Sequence, residues 1–176
     1  MDMNKDSWLS ILFYNIGKQF TNDMQVQYSY IKGKDKIFLK RQHVLDVIGK
    51  NYNFCHRTLL KNEIIIDLDP NCDDDTLQFK MIYKRIHISL INMGYPHIIY
   101  FTGSRGLHVN IYDKEMFLMN KNERINHRHK ICSMFLSNYD HLVCNENHMI
   151  AMEYCPHWKT GNLKTELIKW GVEYGE

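Results

Sequence analysis

The stretch Glu63-Ile64-Ile65-Ile66-Asp67-Leu68-Asp69-Pro70 decides how this chain is interpreted. Three β-branched residues in a row, closed by Pro70, predict a buried strand. Because side chains alternate faces along a strand, Asp67 and Asp69 project to the same side, about 7 Å apart. Two carboxylates beside apolar side chains are costly unless a positive group lies between them, and hard divalent cations prefer oxygen ligands. The stretch is therefore either a metal site or a strand end whose acids are solvated.

Composition limits the classes of protein that the chain can belong to. It has 176 residues, 44% of them hydrophobic, and a formal net charge of +2. These values predict one globular domain over residues 1–176. The sequence has no apolar run of about 18 residues and no signal-peptide pattern at its start, so we expect no membrane partner. The small net charge neither requires nor excludes nucleic acid, because a local basic groove is compatible with it.

The cysteines indicate a reducing compartment. There are five, an odd number, and no two are spaced as Cys-x-x-Cys. Free thiols in an intracellular protein are the expectation. The chain also has ten histidines, but the ligand spacing of structural zinc sites is missing, so no zinc is expected.

Hydrophobic periodicity predicts the elements around the acidic stretch. We expect a helix over 7–20, a hairpin of strands 26–31 and 37–41, a short helix over 43–50 and a basic loop over 51–62. After the acidic strand we expect a helix from about Thr76 to Gly94, strands over 97–101 and 109–112, and mainly helix over 113–137, interrupted near 120–122. A short strand is expected over 148–154, and periodicity leaves 163–170 open between strand and helix.

A loop rich in phosphate donors follows the strand 97–101. In Thr102-Gly103-Ser104-Arg105-Gly106-Leu107-His108, the two glycines permit positive φ and the close approach of a ligand. Ser104, Arg105 and His108 offer a hydroxyl, a planar cation and an imidazole, which are all phosphate donors. The order strand, helix, strand is that of a crossover unit, which would bring this loop near the acids. The alternative is a glycine hairpin with incidental polar residues.

Three motifs in sequence order resemble those of the archaeo-eukaryotic primase superfamily, most closely the small catalytic subunit of archaeal and eukaryotic DNA primase. The first motif is Ile66-Asp67-Leu68-Asp69, and the second is the loop 102–108 followed by a strand that ends at Asp113. The third is Asp140, upstream of His157-Trp158-Lys159-Thr160-Gly161. The early aromatic strand around Tyr28-Ser29-Tyr30 and the basic pair Lys40 and Arg41 are also similar, so the resemblance covers roughly 27–161.

The resemblance implies a fold and a set of roles. The fold is mixed α+β, with an RRM-like β-sheet core flanked by helices. Asp67, Asp69 and Asp140 are implied to hold two Mg²⁺ or Mn²⁺ ions for two-metal phosphoryl transfer. The residues implied to bind the triphosphate of the incoming nucleotide are Ser104, Arg105, His108, His157, Lys159, Lys40 and Arg41.

The chain departs from the superfamily pattern at several positions. Thr102 stands where serine is frequent, and Ser104 where a first arginine occurs. A basic residue is expected shortly before the third motif's loop, where this chain has Ala151-Met152-Glu153; Glu153 is therefore the alternative to Asp140 as third metal ligand. Only Cys72 lies between the first two motifs, so no zinc knuckle is expected.

The implied function is a nucleotidyltransferase that makes primers on single-stranded DNA, and extends strands, from NTP or dNTP. A repair polymerase of the ligase-associated branch is a close alternative, because its motifs also read Asp-Leu-Asp-Pro and Gly-Leu-His-Val. A metal-dependent phosphohydrolase or nuclease, and a catalytically idle binding module, are alternatives of other classes. A primase large subunit and a replicative helicase are candidate partners. The expected location is intracellular, in the cytoplasm or nucleoid or in a viral or plasmid replication complex.

Overall fold

The structure, a computed structural model, describes residues 25–30, 36–40, 52–69, 76–153, 157 and 159–172, with side chains for 56–69, 80–153, 157 and 159–172. The helices predicted over 7–20 and 43–50 lie outside the described residues, as do Arg41 and Trp158.

The described chain contains eight strands and two α-helices. The strands are β1 (Gln25–Tyr30), β2 (Lys36–Lys40), β3 (Tyr52–Thr58), β4 (Glu63–Leu68), β5 (His97–Phe101), β6 (Leu107–Tyr112), β7 (Met149–Ala151) and β8 (Thr165–Trp170). The helices are α1 (Thr76–Asn92) and α2 (Lys121–Phe135), and two short 3-10 helices cover Lys114–Leu118 and His141–Cys144. The predicted hairpin, acidic strand, crossover helix and following strands are thereby confirmed, and 165–170 is strand.

The strands form two four-stranded sheets. The first sheet has the order β2-β1-β3-β7, and the second has the order β4-β6-β5-β8. In the second sheet β6 runs antiparallel to both β4 and β5, so β4 and β5 are parallel to each other with β6 between them. Helix α1 is the crossover from β4 to β5, as the order strand, helix, strand predicted.

One prediction about secondary structure is wrong. Residues 52–58 form a central strand of the first sheet, paired to both β1 and β7, and not a basic loop. Tyr52 and Phe54 alternate with polar Asn53, which is a strand signal. The basic residues of the segment favoured a loop, but Arg57 is fully buried against acidic partners.

Local sequence signals set the helix boundaries. Gly94 adopts φ 75° and follows the end of α1, where Tyr95 N–H donates to the carbonyl of Leu90 at 2.9 Å. Helix α2 begins with a capping box, in which Asn120 Oδ1 accepts from the N–H of Glu123 while the Glu123 carboxylate accepts from the N–H of Asn120. The capping box explains the interruption predicted near residues 120–122.

The two faces of β4 are buried against different layers. Ile64, Ile66 and Leu68 belong to a cluster that includes Ile86 and Leu90 of α1 and Ile131 of α2. Ile65 faces the other way and packs with Leu59 and Ile150, next to the first sheet. Burying each of these side chains contributes about 1.5–3 kcal/mol. The second sheet is thus covered by helices on one face and by the first sheet on the other, which explains the unbroken isoleucine run.

A fully buried ionic cluster joins the two sheets. Arg57 of β3 donates to both carboxylate oxygens of Glu63, at 2.7 and 2.8 Å, and to both of Glu153, at 2.7 and 2.9 Å. Asn110 of β6 donates to Glu63 at 3.1 Å and to Glu153 at 3.3 Å. Buried charges are tolerated only when they are paired and hydrogen-bonded, as these are. The cluster fixes β4 against β3.

None of the helices in the described residues has both the length and the apolar composition that a membrane span requires.

Candidate active site

The site is built around a cross-strand pair at the end of β4. Asp67 of β4 lies opposite His108 of β6 in the antiparallel register. The register places His108 Nε2 3.5 Å from Asp67 Oδ1. The Asp67 side chain is 30% exposed and that of His108 only 11%. The first and second motifs therefore meet directly, with the acid on the open side.

The electrostatics of Asp67 show that two further acids lie near it. Burial, together with the negative charges of Asp69 and Asp140, raises the pKa of Asp67 to about 6. The positive charge of Lys164 acts in the opposite direction. The carboxylates predicted as metal ligands are thus close enough for their charges to interact.

A close backbone approach holds the first motif against the second. A Cβ on Gly106 would stand 2.6 Å from Asp69 Oδ1 and 3.1 Å from the carbonyl oxygen of Leu68. No larger residue fits at position 106 without moving the carboxylate or the backbone. The hairpin itself is closed by Thr102, whose N–H and hydroxyl both donate to the carbonyl of Gly106 at 3.0 Å.

The loop of the third motif lies against the second motif. The Thr160 hydroxyl donates a 2.6 Å hydrogen bond to the carbonyl of Gly103. Gly103 has φ 95°, and a Cβ there would stand 2.5 Å from the carbonyl oxygen of Asn162 and 2.9 Å from Cβ of His157. Glycine is needed at position 103 both for its backbone conformation and for this packing.

The predicted triphosphate ligands lie on these two loops. Arg105 and Lys159 are exposed, and Ser104 and His157 are half-buried. The loop around His157 is closed by its N–H donating to Asn162 and by its carbonyl accepting from Gly161, both at 2.8 Å. His157 Nδ1 accepts from the backbone N–H of Lys159 at 3.2 Å, which orients the imidazole. The hydroxyl, guanidinium, imidazole and ammonium groups therefore come from neighbouring loops.

The two candidates for the third metal ligand differ in their burial and in their hydrogen-bond partners. Asp140 is exposed, its carboxylate accepts from the N–H of Leu142 at 2.9 Å, and its charge acts on Asp67. Glu153 is fully buried in the ionic cluster, and the adjacent Arg57 and Lys164 hold its pKa well below the usual range. Asp140 remains free to reach a ligand, whereas Glu153 is occupied by two cations.

The carboxylates do not form a closed ligand set on their own. Within the described residues, no three His, Cys, Asp or Glu side chains come together closely enough to ligate one ion. Mg²⁺ is commonly held by one or two carboxylates, with phosphates and water completing its shell. The donor chemistry of Asp67, Asp69 and Asp140 fits such an open site.

Lys164 is a residue of the site that the sequence did not indicate. It precedes β8 and is 1% exposed, and its Nζ lies 2.9 Å from His108 Nδ1. Burial, followed by the charge of Lys164, lowers the pKa of His108, so the imidazole is neutral. A lysine next to an amphipathic strand is usually expected to be exposed to solvent. No local signal in the sequence predicts that Lys164 is buried.

The remaining predicted residues lie farther out or outside the described side chains. Lys40 ends β2, the outer strand of the first sheet, and only its backbone is described. Tyr28 and Tyr30 lie on β1, likewise with backbone only. Trp170 is the last residue of β8 and is half-buried, with its ring 5.9 Å from that of His97 on the neighbouring strand β5.

The mixed α+β fold of this chain is similar to that of a solved polymerase domain. The solved structure of the polymerase domain from Mycobacterium tuberculosis ligase D, in complex with DNA, is similar to this chain with a TM-score of 0.61. The likeness covers 92% of this chain and 80% of that one at 10% sequence identity, and it confirms the predicted fold. No protein-family model matches the sequence. No curated protein matches it either.

Proposed function

We propose that the chain is a nucleotidyltransferase that synthesises primers on single-stranded DNA from NTP or dNTP and extends them. The observation that carries the proposal is the convergence of the three motifs. Asp69 lies against Gly106, and Gly103 accepts a hydrogen bond from Thr160. An acidic cluster and two loops of phosphate donors thereby occupy one end of the second sheet.

The acidic cluster supplies the place for the metal ions. Asp67, Asp69 and Asp140 would hold Mg²⁺ or Mn²⁺; burial, followed by the negative charges of Asp69 and Asp140, raises the pKa of Asp67. Bound divalent ions lower the pKa of a 3′-hydroxyl and stabilise the pyrophosphate leaving group. The phosphates of the nucleotide would complete the ligand shell that the carboxylates leave open.

The two loops would bind the triphosphate. Arg105 and Lys159 are exposed cations on adjacent loops, and a guanidinium can bind phosphate through two parallel hydrogen bonds. Ser104 and His157 add a hydroxyl and an imidazole beside them. His108 faces Asp67 from β6 and would donate from the buried side of the pocket. Lys40 and Arg41 remain proposed contributors from the first sheet.

Gap-filling repair synthesis is the second candidate. It is favoured by the likeness to a ligase's polymerase domain, which is solved with DNA. The sequence His157-Trp158-Lys159-Thr160-Gly161 favours the primase branch. The two activities share the same chemistry and differ in the DNA that the protein accepts.

A template assay tests the proposal and separates these candidates. The full chain is incubated with Mn²⁺ or Mg²⁺, labelled nucleotides, and either single-stranded DNA without primer or a gapped duplex with a 5′-phosphate. Dinucleotide formation without primer is expected for a primase. Incorporation only in the gapped duplex would identify the repair activity instead.

Asp67→Asn is the catalytic control, and it is expected to abolish incorporation while DNA binding without metal changes less than a few-fold. Normal incorporation by this variant would contradict the site assignment. Labelled DNA with Mn²⁺ and no nucleotide tests the nuclease alternative, and cleavage that depends on Asp67 would replace the proposal. The large primase subunit and the replicative helicase remain proposed partners.

A further inference from the structure

The least expected group beside the site is a buried ammonium. Lys164 is 1% exposed, and its Nζ lies among three acceptors: the carbonyl of Ala151 at 2.8 Å, Nδ1 of His108 at 2.9 Å and Oε1 of Glu153 at 3.4 Å. An ammonium has three N–H donors and no acceptor, so these three partners satisfy it completely. The ring of Tyr100, 5.1 Å away, covers the remaining side.

Burying this charge is costly and is offset locally. Taking an ammonium out of water costs several kcal/mol, and Glu153 supplies the opposite charge. Glu153 is already satisfied by Arg57, which donates to both of its oxygens. Arg57 also pairs with Glu63, so Lys164 balances the second carboxylate of the ionic cluster that joins the sheets. The hydrogen bond to His108 distinguishes Lys164 from a purely structural member of that cluster.

We propose that Lys164 is a positioning residue that fixes the tautomer of His108. Because the ammonium donates to Nδ1, that nitrogen carries the lone pair and the ring proton is held on Nε2. Nε2 is the atom that faces Asp67, at 3.5 Å from Oδ1. The site is thereby given an N–H donor at a fixed place.

The fixed tautomer determines what His108 can do. A neutral imidazole with its proton on Nε2 donates toward the open side and offers no lone pair there. Through Nε2, His108 therefore can neither ligate a metal ion nor accept a proton. It is suited to donate to a phosphate oxygen, an inference that rests on the proposed nucleotidyltransferase function.

The tautomer can be measured without any activity. In a long-range ¹H–¹⁵N correlation spectrum of the full chain, at mildly alkaline pH and without metal, the unprotonated ring nitrogen resonates far downfield of the protonated one. The His108 signals are assigned by their loss in His108→Gln. We expect Nδ1 to be the unprotonated nitrogen. A proton on Nδ1 in the native protein would overturn the proposal.

Two variants test the role of Lys164. Lys164→Met removes the donor that holds the lone pair on Nδ1, so a shift of His108 toward the Nδ1–H tautomer is expected. Lys164→Arg keeps donors and is expected to retain the Nε2–H form. Lys130→Met, at an exposed lysine on α2, is the control for handling and labelling. An unchanged His108 spectrum in Lys164→Met would overturn the proposal. If that variant does not fold, the tautomers observed in the native protein and in Lys164→Arg test the proposal instead.

Kinetics connect the tautomer to function. Lys164→Met is expected to raise the apparent KM for nucleotide about ten-fold, equivalent to about 1.4 kcal/mol, with a smaller effect on kcat. Lys164→Arg is expected to raise the KM less. A native chain with the Nε2–H tautomer but no incorporation would refute the proposed function and leave the assignment of Lys164 intact. A changed tautomer with unchanged KM would refute the role of His108 toward nucleotide.

Discussion

Asp69 and Gly106 lie so close together that a Cβ on Gly106 would stand 2.6 Å from the Asp69 carboxylate oxygen. The contact ties the acidic end of β4 to the loop that carries Ser104 and Arg105. A substitution at position 106 therefore tests whether activity depends on the contact between the acids and this loop.

Gly106→Ala is expected to lower nucleotide incorporation at least ten-fold, because the new Cβ must displace the Asp69 carboxylate. The matched control is Gly94→Ala. Gly94 has φ 75° and open space around it, so alanine there costs about 1 kcal/mol through backbone strain without touching the site. Steady-state incorporation and thermal unfolding of both variants check the prediction. Equal activity of the two variants would show that the contact has no role.

Thr160→Val removes the hydroxyl that joins the third motif's loop to Gly103. The hydroxyl also accepts from the N–H of Asn162 at 3.2 Å, so two hydrogen bonds are lost, each worth about 0.5–1.5 kcal/mol. The loop that carries His157 and Lys159 becomes less ordered. We expect the apparent KM for nucleotide to rise several-fold with little change in kcat. Thr165→Val, at an exposed threonine on β8, is the isosteric control. A KM equal to that of the native protein would separate this loop from nucleotide binding.

Asp67→Asn is expected to stabilise the metal-free protein at neutral pH. Burial and the charges of Asp69 and Asp140 raise the pKa of Asp67 from 3.8 to about 6, so the folded state binds its proton more tightly than the unfolded state does. The stability contributed by this proton is fully present below pH 3.8 and is lost as the pH rises to about 6. The free energy of unfolding falls by up to about 3 kcal/mol over this pH range.

Thermal unfolding with a chelator between pH 4 and pH 8 measures this effect. Near pH 8 the melting temperature of Asp67→Asn is expected to exceed that of the native chain by several degrees. Near pH 4 the two melting temperatures are expected to converge. Added Mn²⁺ is expected to stabilise the native chain more than the variant. A pH-independent difference between them would contradict the proposed interaction of the carboxylates.

Arg57→Met is expected to destabilise the fold by about 3–5 kcal/mol, because Glu63 and Glu153 would be left buried without their shared cation. The double variant Arg57→Met, Glu63→Gln leaves Glu153 paired with Lys164 and removes the other uncompensated charge, so it is expected to recover much of this loss. Urea unfolding measures both, with Arg85→Met at an exposed position of α1 as the control. A loss as small as that of Arg85→Met would show that the cluster does not hold the sheets together.

The sequence predicted local structure wherever one signal dominated. The isoleucine run indicated β4, Gly94 indicated the end of α1, and the interruption predicted near 120–122 lies at the N-terminus of α2. It failed at β3, because the positive charges of His56, Arg57 and Lys61 favoured a solvated loop. Arg57 is buried because the carboxylates of Glu63 and Glu153 both bind it, and Glu153 is far from it in the sequence.

By itself, the sequence determined which groups are available to the site and in what order along the chain they occur: the acids at 67 and 69, the glycine-bounded donors at 103–108, Asp140, and the loop at 157–161. The tertiary structure alone decided which of them meet. The register of β4 against β6 sets Asp67 opposite His108, and the return of β8 beside β5 brings Lys164 behind that imidazole. Register and burial depend on contacts between residues far apart in the chain, and no local pattern encodes them.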